Sequence, residues 1–358
     1  MKYGVTFLPD CYPELKTPET WFKDALNIVE LIDRVGFESV KITEHFFHPY
    51  GGYCGNPSNF LSAAAMRSKN LKLITGCVLP AFHNPLIVAS ELAMLDAISN
   101  GRMEAGFARA YLPYEFDAFK VSMDESRARY VEFIDAIEKL WTEFHTTFKG
   151  DFNEFKNITS FPPLTQDNNP QIWVATSASP QSFEWAGARG YNLMVTPTIA
   201  DFSNFKDFLN IYRSAHEKAG HGKVEQDQIM LAYPMYVHEN HETAHRNGKK
   251  YLKNYWQVWI DAANTWNDKN SSSYQSYSRM GEFLKTFSYE RLVEEKRILV
   301  GTPQEVNESI NYIKEEFDIG YLSFQVDFGG MPYECTKESI MLFNEKICSA
   351  NVSDALLK

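Results

Sequence analysis

Eight short apolar runs alternate with amphipathic stretches along this chain, and that rhythm limits what it can fold into more than any single residue does. The runs are Tyr3–Leu8, Ser39–Thr43, Leu71–Leu79, Arg102–Ala108, Ile172–Thr176, Asn192–Thr196, Ile229–Val237 and Tyr321–Val326. The stretches between them repeat apolar residues at helical spacing. Pro18–Val35 places Phe22, Leu26, Val29 and Ile32 on one face and stops at Gly36; Pro303–Phe317 does the same with Val306, Ile310, Ile313 and Phe317. Further helices are expected over Asn59–Lys69, Pro85–Ser99, Ser126–Phe144, Pro180–Arg189, Asp201–Ala219, His241–Ala263 and Glu334–Ala350. A helix between consecutive strands returns the chain to the edge it started from, so the strands run parallel. Eight such units predict a closed (β/α)8 TIM barrel, a single α/β domain over residues 1–358. Its site would be built from loops at the C-terminal strand ends.

Two stretches break the rhythm. Residues 148–167 hold Gly150, Pro162 and Pro163 and read as a loop or short hairpin. The second, Thr265–Ser288, follows the seventh strand and its helix. Asn267, Asn270, Ser271, Ser272, Ser273, Ser276 and Ser278, with Asn264 just before, give it little apolar periodicity. It is expected to be a mobile lid over the site, with Trp266, Tyr274 and Tyr277 turned toward substrate.

Composition narrows the function. A net charge of −11 argues against nucleic acid, whose phosphates need a basic surface. No run approaches the ~18 apolar residues of a membrane span, and Met1–Val5 lacks the apolar core of a secretion signal. Cys11, Cys54, Cys77, Cys335 and Cys348 are odd in number and scattered, which suits reduced thiols. The expectation is a soluble cytoplasmic protein. With 26 Phe and 19 Tyr, some aromatics should line a pocket rather than the core.

Polar residues cluster where strands end. Glu44-His45 closes the second run, Arg109 the fourth, Thr176-Ser177-Ala178-Ser179 the fifth, and Asp327 the last. A histidine such as His45 can exchange a proton at a reacting centre, whereas an isolated strand-end His often only bonds backbone. Arg109 and Arg127 stand at successive strand–helix connections, where two guanidiniums can converge on one phosphate. Ser179 before Pro180 reads as a helix cap, and the same helix start can receive an anion. No Walker loop or Gly-x-Gly-x-x-Gly is present. His241-Glu242-Thr243-Ala244-His245 has the spacing of a zinc-protease helix. Tyr251 stands where the extended motif needs its third ligand, however, and the flanks are polar, so no metal site is expected.

In order along the chain, these segments resemble the bacterial luciferase-like, flavin-dependent monooxygenases. They are Glu44-His45-Phe46-Phe47-His48-Pro49-Tyr50-Gly51, Leu79-Pro80 with His83-Asn84-Pro85, Ser99-Asn100-Gly101-Arg102 through Arg109, Ser126-Arg127, and Gly301-Thr302-Pro303-Gln304-Glu305-Val306. The resemblance implies a two-component homodimeric monooxygenase. A separate NAD(P)H:flavin reductase would supply reduced FMN, and a C4a-hydroperoxyflavin would oxygenate a small organic substrate. It implies that Arg109, Arg127, Ser177, Ser179 and Ser182 hold the phosphate. His45 would stand by the ring with Glu44 beside it, and a cis peptide at Thr75–Gly76 would adjoin the flavin. The family's luciferases carry a reactive cysteine where this chain has Ala108, which argues against light emission from long-chain aldehydes. The aromatic segments Tyr111–Phe119 and Tyr255–Tyr277 suggest a differently shaped pocket. Deazaflavin (F420) hydride transfer and a non-catalytic flavin-binding role remain alternatives.

Overall fold

A computed structural model describes residues 1–349 other than 178, 200, 201, 268, 270, 278 and 279. Eleven strands are present among them. They are β1 (Lys2–Phe7), β2 (Ser39–Ile42), β3 (Lys72–Thr75), β4 (Met103–Ala108), β5 (Thr146–Lys149), β6 (Glu154–Ile158), β7 (Ile172–Ala175), β8 (Asn192–Val195), β9 (Ile229–Val237), β10 (Leu299–Gly301) and β11 (Tyr321–Gln325). Eight of them close a parallel ring. β1 joins β11 at Val5↔Phe324 and β2 at Val5↔Val40, the order runs on through β3, β4, β7 and β8, and β8 joins β9 at Met194↔Met230. β9 meets β11 to complete the circuit. This is the eight-stranded parallel barrel expected from the alternation.

Local chemistry explains the helix starts. Among the described residues six α-helices open on proline, at Pro18, Pro57, Pro85, Pro113, Pro180 and Pro303. Proline fits the first turn because its missing N–H would have no partner there. Thr17, Asn56, Asn84 and Thr302 cap four of them by accepting backbone N–H groups. Gly36, at φ +83°, follows the first helix as the sequence suggested. Outward residues such as Val5, Phe7, Val40 and Ile42 pack with Trp21, Ile28 and Ile32 of the helical layer. The inward face carries Ile74, Cys77, Trp173, Met194, Met230 and Tyr321.

Several expectations are corrected. The third strand ends at Thr75 rather than Leu79, and the chain regains β4 only at the Val78↔Phe107 bridge. The non-proline cis bond lies at Gly76–Cys77, one residue beyond the expected Thr75–Gly76. Thr75 is still within the ladder, its hydroxyl donating to Gly106 O (2.9 Å) and accepting from Gly106 N–H (2.7 Å). Gly106 is required there, since a Cβ would lie 1.9 Å from Thr75 O. β10 and the helix Pro113–Phe119 are additions to the eight-unit alternation. The stretch after residue 145 is a hairpin, β5 against β6. The insertion Thr265–Ser288 folds into short turns at Asn264–Trp266 and Ser272–Tyr277 and a short helix at Met280–Leu284, and a further short helix, Tyr289–Glu294, follows it. Asn270 and Ser278 of that segment, Ala178, and the end of the closing helix at Ala350 lie outside the described residues. Among the described residues, no helix is long and apolar enough to cross a membrane.

Candidate active site

A cavity of about 520 Å³ opens at the C-terminal ends of the strands. Of the residues singled out by sequence, Glu44, His45, Gly76, Arg109, Arg127, Ser177, Ser179 and Ser182 line it. Thr75 does not, because its side chain is engaged between β3 and β4. Asp327 is buried but is not part of the lining.

His45 is held from behind. Its Nδ1 lies 3.0 Å from Glu115 Oε1, and the Phe46 N–H donates to the same oxygen at 2.9 Å. Glu115 is fully buried, so this carboxylate both orients the ring and fixes the proton on Nδ1, leaving Nε2 as the free nitrogen. Glu44 faces another partner. Its Oε1 pairs with His83 Nε2 at 2.8 Å and its Oε2 accepts from Leu79 N–H at 2.6 Å. Burial raises the Glu44 pKa against the pull of His83. On His83, burial acts downward, but the bond and charge of Glu44 outweigh it and raise the pKa. Glu44 therefore braces the β2 and β3 loops, while Glu115 supports the candidate catalytic imidazole. Neither Glu115 nor His83 was assigned a role from sequence. Pro113 at a helix start and the acid inside an aromatic run were the available signals.

The two arginines form the opposite wall. Arg109 Nη2 donates to Ser126 Oγ (2.9 Å), its guanidinium stacks 4.6 Å from the Tyr274 ring centroid, and its Nε is buried without a hydrogen-bond partner. Arg127 Nη1 donates to Ser182 Oγ at 3.2 Å. No carboxylate pairs with either among the described residues. Burial lowers the Arg127 pKa, and the charge of Arg109 lowers it further. Two cations that repel, with an orphaned donor between β4 and the helix at Pro180, form a socket for a dianion such as a phosphate monoester. The residues present thus fit a flavin mononucleotide phosphate.

Aromatic groups supply the rest of the wall. Tyr50 and Tyr255 both stack on Trp259, with ring centroids 5.9 and 5.7 Å apart and planes 19° apart. Burial raises the pKa of Tyr50, Tyr111 and Tyr255 and keeps them neutral phenols. From the inserted segment, Tyr274 and Tyr277 line the cavity as expected, together with Ser272, Ser273 and Met280. Trp266 does not; it is buried behind them, 5.6 Å from each tyrosine ring.

Two other features lie elsewhere. A hollow of about 600 Å³ opens at the N-terminal strand ends. Its lysines are largely paired, Lys2 with Glu38 and Asp227, and Lys72 with Glu104, so it offers less unmet charge than the C-terminal cavity. The His241 and His245 pattern gains a third polar group that sequence did not supply. Glu305 Oε1 lies 2.9 Å from His241 Nδ1 and 3.7 Å from His245 Nε2. The three ligand atoms are all within 4.8 Å of one another, outside the cavity.

A parallel barrel with a cationic socket, a buried His–Glu pair and an aromatic wall at its C-terminal mouth has the make-up of a cofactor-dependent enzyme. The chain belongs to the luciferase-like monooxygenase family, whose sequence pattern it matches over residues 1–317. It is 31% identical over 266 residues to the oxygenase component of flavin-dependent trigonelline monooxygenase from Acinetobacter baylyi, covering 73% of this chain and 72% of that protein. Among solved structures it resembles monooxygenase RslO1 from Streptomyces bottropensis, at 37% identity and a TM-score of 0.88 over 98% of this chain and 100% of the other. More distant structures share the fold alone. The oxygenating constituent of 3,6-diketocamphane monooxygenase from Pseudomonas putida, solved with FMN, has a TM-score of 0.78 at 19% identity, covering 97% and 98%. An F420-dependent secondary alcohol dehydrogenase has a TM-score of 0.70 at 18% identity, covering 96% and 98%.

Proposed function

We infer that this protein is the oxygenase component of a two-component system, taking reduced FMN from a separate NAD(P)H-dependent reductase and oxygenating a small organic molecule. The observation that carries the reading is the pair of guanidiniums, Arg109 and Arg127, that no carboxylate neutralises among the described residues, in the same cavity as the Glu115-braced His45. When bound, reduced flavin supplies the electrons that split dioxygen, one atom going to substrate and the other leaving as water. Arg109 and Arg127 hold the phosphate, with Ser177, Ser179 and Ser182 as neighbouring donors. His45, oriented through Nδ1, offers Nε2 to hold or deliver a proton at the reacting centre. Tyr50, Tyr255 and Trp259 exclude water, and Tyr274 and Tyr277 close the cavity over the arginines.

The test mixes protein and chemically reduced FMN with oxygen and follows release of hydrogen peroxide. The protein should delay that release well beyond free reduced FMN. Release at the free-flavin rate would count against an oxygenase. Binding and turnover of reduced F420 in place of FMN would select the deazaflavin alternative.

A further inference from the structure

Lys41 lies on the inward face of β2, four residues before His45, and has no role in the reading above. It is 5% exposed, yet it lines the cavity. Its stem is seated against Gly76, where an added Cβ would come within 3.0–3.1 Å of Lys41 Cβ, Cγ and Cδ. The side chain therefore runs along β3 into the cavity. No carboxylate and no hydrogen-bond acceptor pairs with it among the described residues. The acids along and behind the cavity wall bond other groups: Glu44 bonds His83 and Leu79 N–H, Asp10 bonds Gln325 and Gly329 N–H, and Glu115 bonds His45 and Phe46 N–H through Oε1 while its Oε2 is buried without a partner. The surrounding inner wall is neutral. Thr6 bonds Ser323, and the thiol of Cys77, raised to about 12 by burial, contacts the Met194 sulfur at 3.8 Å. Burial lowers the lysine's own pKa.

A lysine whose stem is buried and which opens only on the cavity has no protein group to balance its charge, and a Met of similar length would fill the same space at less cost. Arg109 and Arg127 already account for a phosphate on the β4 and β7 side. An anion reaching the β2 and β3 side would restore the missing partner. We propose that Lys41 is a substrate-recognition residue, binding the carboxylate of an acidic substrate in the cavity. This rests on the flavin reading for the identity of the cavity as an active site. The reduced flavin ring carries a similar planar, delocalised negative charge, so the test separates the two sources.

Full-length protein and the Lys41→Met variant are titrated with benzoate and 2-naphthoate and with the corresponding neutral amides, with and without FMN. Binding is followed by calorimetry. The reduction potential of bound FMN is measured in both chains. The native protein should bind the carboxylates at least tenfold more tightly than the amides. Lys41→Met should lose that preference while keeping or raising its thermal stability and keeping its affinity for FMN. Lys41→Gln, which keeps a polar end without the charge, should behave as Lys41→Met does. No carboxylate preference in the native protein, or one that survives in both variants, overturns the proposal. A lower FMN potential in Lys41→Met with unchanged carboxylate binding assigns the charge to the flavin ring and also overturns it. Failure of FMN to bind either chain would sink the cofactor reading, while the flavin-free titrations would still decide the role of Lys41.

Discussion

His45 is positioned by a carboxylate that the solvent does not reach. His45→Ala should keep the fold and FMN affinity but convert reduced flavin and oxygen to hydrogen peroxide in place of product. A hydrogen bond to a charged group contributes about 1.5–3 kcal/mol, so peroxide should form roughly ten- to a hundredfold faster. Glu115→Gln keeps an acceptor for Phe46 N–H and should fall between the two. If His45→Ala couples oxygen to product as the native chain does, the role of His45 is wrong. Asp327 gives a second residue-level expectation. Burial raises its pKa to about 7 against the pull of Lys16, and Asp10, also buried, is raised further by Asp327. The folded chain keeps a proton here that the unfolded chain, titrating near ~3.9, has lost. The stability from this proton is full below about pH 4 and is lost as pH rises through about 7, at most roughly 4 kcal/mol. Asp327→Asn should flatten that slope in urea unfolding between pH 5 and pH 8; an unchanged slope would show that another group sets it. His45, Arg109 and Arg127 were legible in the sequence because strand ends expose them to one site. Glu115 and Lys41 were not. An acid in a short helix and a lysine inside a strand look like solvated residues until barrel closure turns them inward.

The elements that local pattern specifies were readable, and those that pairing specifies were not. Each of the eight ring strands has its own apolar run, and proline and capping residues mark the helix starts. β10 is three residues long and exists because the far half of β9 offers it a partner, at Leu299↔Met235. The apolar run through Leu79 read as one strand because side-chain pattern carries no sign of the turn at Gly76. The inserted segment has polar spacing, but its contacts are particular. Ser271 and Ser272 donate to Asp124 (2.6 and 3.0 Å), and Tyr274 bonds Ser126 (2.8 Å) above Arg109. We expect these few bonds to open in the free protein, so limited proteolysis should cut first within 265–288, and FMN should slow the cut. First cleavage at the 150–154 hairpin turn, with no response to FMN, would remove the lid from the account. Deleting the segment should uncouple oxygen use from product, whereas a passive loop would leave turnover unchanged.

At the scale of the whole molecule, the barrel brings loops separated by more than a hundred residues to one mouth. His45 and Ser177 meet there because the ring closes, not because of any spacing between them. Family membership follows from motifs in order along the chain. The direction of the Gly76 stem contact, the brace behind His45 and the lack of a carboxylate beside either arginine among the described residues follow only from the closed ring. On the reading proposed above, this mouth holds a flavin by its phosphate. That reading is tested most directly by comparing the affinities of the native protein for reduced FMN and reduced riboflavin, which differ only in that phosphate. FMN should bind about ten- to a hundredfold more tightly, and Arg109→Ala should lose most of the difference. Equal affinities in the native protein would contradict the account.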